Sequence, residues 1–243
     1  MRVIVILLLA AAAQSTGPKF DVVSIHELQG PYRVLEQLTV SGSLVRLEGY
    51  TVKMMAAVAY GKKDYQVAAP SPKHFAYFTV EARAPGDAAP EPEALHSMLQ
   101  NMLAERFHLK AHREMRNVPV YALLVGKNGP QLESSDSTQK CYRLIGPVSP
   151  ADRNYRYMAK NCSMQDFVEG LGADRPVIDR TNLTGLYNIT IFYTPDFRMQ
   201  NEVQPTDISI LDSVHRLGLQ MEKRDEPMEV VVVDRYDDLP SAN

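Results

Sequence analysis

The stretch Tyr77-Phe78-Thr79-Val80-Glu81-Ala82-Arg83-Ala84-Pro85 is answered about 110 residues later by Tyr187-Asn188-Ile189-Thr190-Ile191-Phe192-Tyr193-Thr194-Pro195. Both are strand-forming runs stopped by a proline. The correspondence extends outward. Arg106-Phe107-His108-Leu109, at the end of a predicted helix, is answered by Arg216-Leu217-Gly218-Leu219, and the apolar run Val120–Leu123 by Val230–Val233. A constant offset between unlike local patterns is the mark of an internal duplication, so the chain is read as two copies of one small unit.

Within the first copy, Phe20–Ile25 and Ser43–Glu48 alternate as strands, and Thr51 caps a helix whose Val52, Met55, Ala56 and Ala59 share a face before Gly61 ends it. Tyr65–Val67 and Ala76–Arg83 read as strands. A longer helix follows, with Leu95, Met98, Leu99, Met102, Leu103 and Phe107 on one face; Leu109–Arg116 and Pro119–Val125 close the unit as two strands. The second copy runs through a strand at Tyr155–Met158, a helix capped by Ser163, and strands at Pro176–Ile178 and Tyr187–Phe192. It ends with a helix capped by Thr206 or Asp207 and strands at Leu219–Lys223 and Met228–Val233. The expected fold is α+β: two tandem βαββαββ-like units, 20–125 and 155–236, with helices packed on small mixed sheets. Turn residues make 126–154 a linker, and 237–243 reads as a frayed tail.

Residues Val3–Ala13 form an apolar run of 11 residues behind Met1-Arg2, with small residues before Gln14. This is the pattern of a secretory signal peptide at 1–13, too short for the roughly 20 residues that span a bilayer. The expectation is an exported protein, periplasmic or extracellular, with no membrane span once the signal is cleaved. Cys141 and Cys162, the two cysteines present, are expected to pair in that oxidising setting. With 26 basic and 29 acidic residues the formal net charge is −3, and no basic block stands out, which argues against nucleic acid as a partner.

Several longer motifs resemble a secreted family of unknown function that is expanded in soil acidobacteria. They include Leu103-Ala104-Glu105-Arg106-Phe107, His112-Arg113-Glu114, Pro119–Leu123 with Gly129-Pro130, Arg175–Thr181, Leu183-Thr184-Gly185 and Thr194-Pro195-Asp196. The resemblance covers nearly all of the chain after the signal and implies no activity. Each half is also similar in element order to the short N-terminal domain of secretins and TonB-dependent receptors, which implies protein binding.

Candidate site residues are sparse. His112, Arg113 and Glu114 are the densest polar group; on a strand His112 and Glu114 share a side, as a metal pair or an acid–base pair would, although a solvated strand face is the preferred reading. Asp174-Arg175 and Asp179-Arg180 flank a strand and offer guanidinium forks to a carboxylate, or simply shape loops. No Gly-x-Ser-x-Gly elbow, His-Glu-x-x-His helix or phosphate loop occurs. No catalytic residue, metal ligand or cofactor is assigned. The expected function is a non-enzymatic module binding another envelope or secreted protein. The alternatives are an exported hydrolase or metal-dependent enzyme using His112 and Glu114, or a periplasmic small-ligand sensor.

Overall fold

The computed structural model describes residues 17–28, 37–149, 152–171, 173, 175–195 and 206–241. The signal-like run, the turn at Gly30-Pro31, Gly172, Asp174 and Asp196 lie outside them. The elements run β1 (Val22–Glu27), β2 (Gln37–Ser41), β3 (Leu44–Tyr50), α1 (Val52–Ala59), β4 (Val67–Ala68), β5 (Phe78–Arg83), α2 (Pro92–Arg106) and β6 (Lys110–Val125). They continue as β7 (Glu133–Ser135), β8 (Tyr142–Pro147), β9 (Tyr155–Cys162), α3 (Met164–Glu169), β10 (Val177–Asp179), β11 (Leu186–Tyr193), α4 (Ile210–His215) and β12 (Leu219–Arg235). The fold is α+β, with helices packed on antiparallel and mixed sheets.

The chain divides into two compact units, only one of which is a single sequence segment. One joins residues 1–115 to 229–243; the other is 116–228. In the first unit β1-β5-β3-β2 form an antiparallel sheet, and β4 pairs in parallel with the end of β12, Val67 beside Val231 and Ala68 beside Val232. In the second, β7-β11-β9-β8 form an antiparallel sheet, and β10 pairs in parallel with the end of β6, Val177 beside Tyr121 and Ile178 beside Ala122. The expected boundaries at 125 and 155 differ from this division because each unit takes its parallel partner strand from a distant part of the chain.

Local chemistry accounts for the elements. Thr51 Oγ1 accepts from the Met54 amide at the start of α1, and Ser163 caps α3 in a reciprocal arrangement with Asp166. The hydrogen bond from Ser163 holds the Asp166 carboxyl below its ordinary value. Before α4 the cap is Ser209, not Thr206 or Asp207, because the Asp207 carboxylate is taken by Arg153 at 3.1 Å. Asn101 of α2 is buried and donates to the carbonyls of Gly17 and Pro18.

Three further expectations differ from what is seen. The stretch read as a linker contains β7 and β8, short edge strands whose terminal turn residues resemble a loop in sequence. Each closing pair of strands is one long strand, of 16 residues in β6 and 17 in β12, that continues through Pro119 and Pro227. Around these prolines the chain passes from exposed residues toward a buried run, which imitates a break. The expected frayed tail is tied down in its described part: the amides of Asp237 and Ser241 donate to the Phe107 and Arg106 carbonyls and so satisfy the C-terminal end of α2.

Each unit has its own core. In the first, Val45, Leu47, Val80, Met55, Leu99 and Leu103 pack with Val231 and Val233, and Phe78 meets Phe107 edge to face at 5.3 Å. In the second, Leu123, Ile189, Ile191, Val214 and Leu219 surround Tyr157, which stacks on Phe167 at 5.4 Å and donates to the Phe167 carbonyl. Burial pushes the Tyr157 hydroxyl up to about 12. Gly218 turns at φ +71° into β12, and a Cβ there would run into the Gly129 carbonyl oxygen.

The first core therefore includes residues from the far end of the chain. Val231→Ala removes fully buried methyls and should cost about 2 kcal/mol. Hydrogen exchange should quicken at Val45, Leu47 and Val80 while Ile189 and Ile191 keep their protection; the reverse pattern would contradict this division of the core.

Candidate functional site

The polar group singled out from sequence lies in the first unit, on the exposed early part of β6. His112 Nδ1 is 3.0 Å from an Asp234 carboxylate oxygen on β12, and its Nε2 is 3.4 Å from Glu114. Strand alternation puts His112 and Glu114 on one side, as expected. Asp234, 122 residues away, completes the group. Its hydrogen bond, followed by that of Glu114, raises the His112 pKa above the ordinary histidine value. Both ring nitrogens of His112 thus lie beside carboxylates, one on its own strand and one on β12. Arg113, alternating to the other side, lies over the Tyr60 ring at 6.0 Å and near Glu229, whose carboxyl is held below its ordinary value first by Lys62.

The second group belongs to the other unit, and its residues have structural partners there. Asp179 accepts from the amide and hydroxyl of Thr181, shaping the turn after β10. Arg180 reaches Glu226 at 3.2 Å, and Arg175 sits 5.2 Å from the centre of the Tyr121 ring. Among the described residues no group of three or more His, Cys, Asp and Glu side chains is placed to hold a metal ion. A cavity of about 220 Å³ in the first unit is lined by Thr51, Pro70, Pro72, Phe75 and Tyr236, among others, and by none of the residues selected from sequence.

Sequence reading missed the sheet edges. β2 ends the sheet of the first unit and β8 that of the second. Leu38 and Val40 of β2 stand opposite Leu47 and Val45, and Ile145 of β8 stands opposite Tyr157. Directly opposed residues share a face, so these side chains belong to the inner, core-facing row. Their partners are fully buried, yet Leu38 and Val40 remain 39% exposed and Ile145 47%. The apolar layer is open at both edges. A disulfide joins Cys141, immediately before β8, to Cys162 at the end of β9, with Cα atoms 4.6 Å apart.

Residues 53–236 match the family described as a protein of unknown function, DUF3738. The chain belongs to this family. No curated protein and no solved structure matches it. In this DUF3738 chain the match takes in both long strands, β6 and β12, and it begins within α1. No helix among the described residues is long and apolar enough to cross a membrane.

Two measurements follow from the site. The raised His112 pKa makes its ion pairs stabilising below the unfolded-state pKa near 6.5, and that stabilisation is lost as pH rises through the higher folded value. An NMR titration of the imidazole should therefore give a midpoint above about 6.5 that falls in Asp234→Asn. Replacing both cysteines by serine, which opens a link across 21 positions, should lower stability by about 3 kcal/mol in denaturant melts. An unchanged melt would show that the crosslink does not constrain the unfolded chain.

Proposed function

We propose that the protein is an exported, non-enzymatic binding module of two duplicated units that takes up a partner segment as an added strand at a sheet edge. The observation that carries the reading is the open inner row at β2 and β8. An extended segment laid beside either strand would satisfy its outward backbone groups and cover Leu38, Val40 or Ile145 with its own alternate side chains. Neither lysine nor proline lies within Gln37–Ser41 to discourage such pairing.

The duplication is supported by the sheet orders. Every strand of β1-β5-β3-β2 has its counterpart six strands later in β7-β11-β9-β8. The parallel pairings agree: Val67 with Val231 and Val177 with Tyr121 are related by the same offset of about 110 residues, applied forwards in one strand and backwards in the other. On this reading each copy lends its closing strand to the other. Export is supported by the Val3–Ala13 run, by the disulfide and by the resemblance to a secreted acidobacterial family; a binding role agrees with the likeness to the short domain of secretins and TonB-dependent receptors. The rival enzyme reading draws no support from His112, whose ring nitrogens are both engaged.

The test is capture of a partner from the envelope fraction by the mature chain, compared with Leu38→Lys and Ile145→Lys variants. Capture should fall at least about tenfold in one of them, with stability within about 1 kcal/mol of the parent because the replaced side chains are partly exposed. Undiminished capture by both variants would reject edge pairing.

A further inference from the structure

The two edges present different outer faces. Beside β2 the outward row of β3 carries Arg46, which pairs with Glu48 at 3.2 Å and reaches Glu81 at 3.5 Å, so that face neutralises itself. Beside β8 the outward row of β9 is Arg156, Met158 and Lys160. Neither Arg156 nor Lys160 forms an ion pair with a described residue. Opposite them on β8 stand Gly146, Leu144 and Tyr142, and across β11 Phe192 faces Arg156 and Thr190 faces Met158. Tyr142, Leu144 and Phe192 are 53%, 41% and 44% exposed, so two cations stand within an open apolar patch. Glu133, on the sheet's opposite edge strand, bonds Asn188 there.

We propose that β8 is the selective edge, and that its ligand is an extended acidic segment in which apolar residues alternate with Asp or Glu. This rests on the edge-pairing reading above and adds the chemistry of the partner. A strand added at β8 would place one row of side chains beside Ile145, where apolar groups close the inner layer. Its other row would fall beside Tyr142, Leu144 and Gly146. With strands about 4.8 Å apart, Arg156 and Lys160 lie two strand spacings from the added backbone, within reach of long side chains extended toward each other. A Cβ built on Gly146 meets nothing within 4 Å, so the path from Arg156 to the added strand is unobstructed. A second copy of this chain is a poor occupant. β8 carries Arg143 and no carboxylate, and self-pairing would bring like charge to like. Arg143 itself turns inward to the Asp166 carbonyl and Glu169.

The experiment uses the full disulfide-bonded chain and two labelled synthetic peptides, one alternating Val with Glu and one alternating Val with Lys, followed by fluorescence anisotropy. The Val-Glu peptide should bind at least about tenfold more tightly than the Val-Lys peptide at low salt, with the advantage shrinking toward unity near about 0.5 M salt. Arg156→Glu with Lys160→Glu should reverse the preference, and Ile145→Lys should weaken both peptides. Equal binding of the two peptides, lost in Ile145→Lys, would overturn the acidic specificity while leaving edge pairing intact. A preference for Val-Glu that Ile145→Lys leaves untouched would overturn the edge at β8. Failure of both peptides to bind, or a concentration-dependent dimer abolished by Ile145→Lys, would also overturn the proposal.

Discussion

Val67 beside Val231, and Val177 beside Tyr121, are the short parallel pairings on which both units depend. Each inserts a strand from one region of the chain against a strand from a remote one. Each also brings fully or nearly fully buried side chains into a core that its neighbours in sequence could not complete. Parallel pairing requires a crossover connection. Here the crossovers are long: 164 positions separate Val67 from Val231, and 56 separate Tyr121 from Val177. His112 meets Asp234 because β12 returns to the first unit.

Patterns confined to one element were legible in the sequence. The buried face of α1, the apolar face of α2, the Thr51 and Ser163 caps and the Tyr187–Tyr193 strand follow from periodicity and cap chemistry that act over a few residues. The cysteine pair followed from their number. Pro119 and Pro227 obscured the continuity of β6 and β12, and Ser134, Gly146 and Pro147 hid the two short strands between the units' obvious elements. The candidate polar residues were found, but their partners Asp234, Glu226 and the Tyr121 ring lie far from them in sequence. The edge at β8 left only a weak trace, the alternation Arg156, Met158, Lys160, because no sequence pattern states that a strand is last in its sheet.

The disulfide and the open edge belong to one arrangement. A terminal strand of 6 residues gains a single ladder, and its ends fray easily. Crosslinking its start to the neighbouring strand keeps Tyr142–Ile145 extended with their backbone groups presented outward. Under the proposed edge pairing, a partner would meet a template already ordered, and the entropy of arranging it would not subtract from the binding free energy. β2 has a tight turn at Gly42-Ser43 instead, which sets its register without a covalent tie.

The division of the chain also sets an order of assembly on a growing polypeptide. Residues 116–228 are contiguous, so that unit has all its strands as soon as they have been made. The other unit must wait for 229–235, made after all of 116–228, before Val231 and Val233 can fill its core. Closure of that core therefore waits on a later strand: the sheet β1-β5-β3-β2 has its strands early, but its inner side lacks Val231 and Val233 until 229–235 have been made, an interval in which it is exposed to the wrong neighbour.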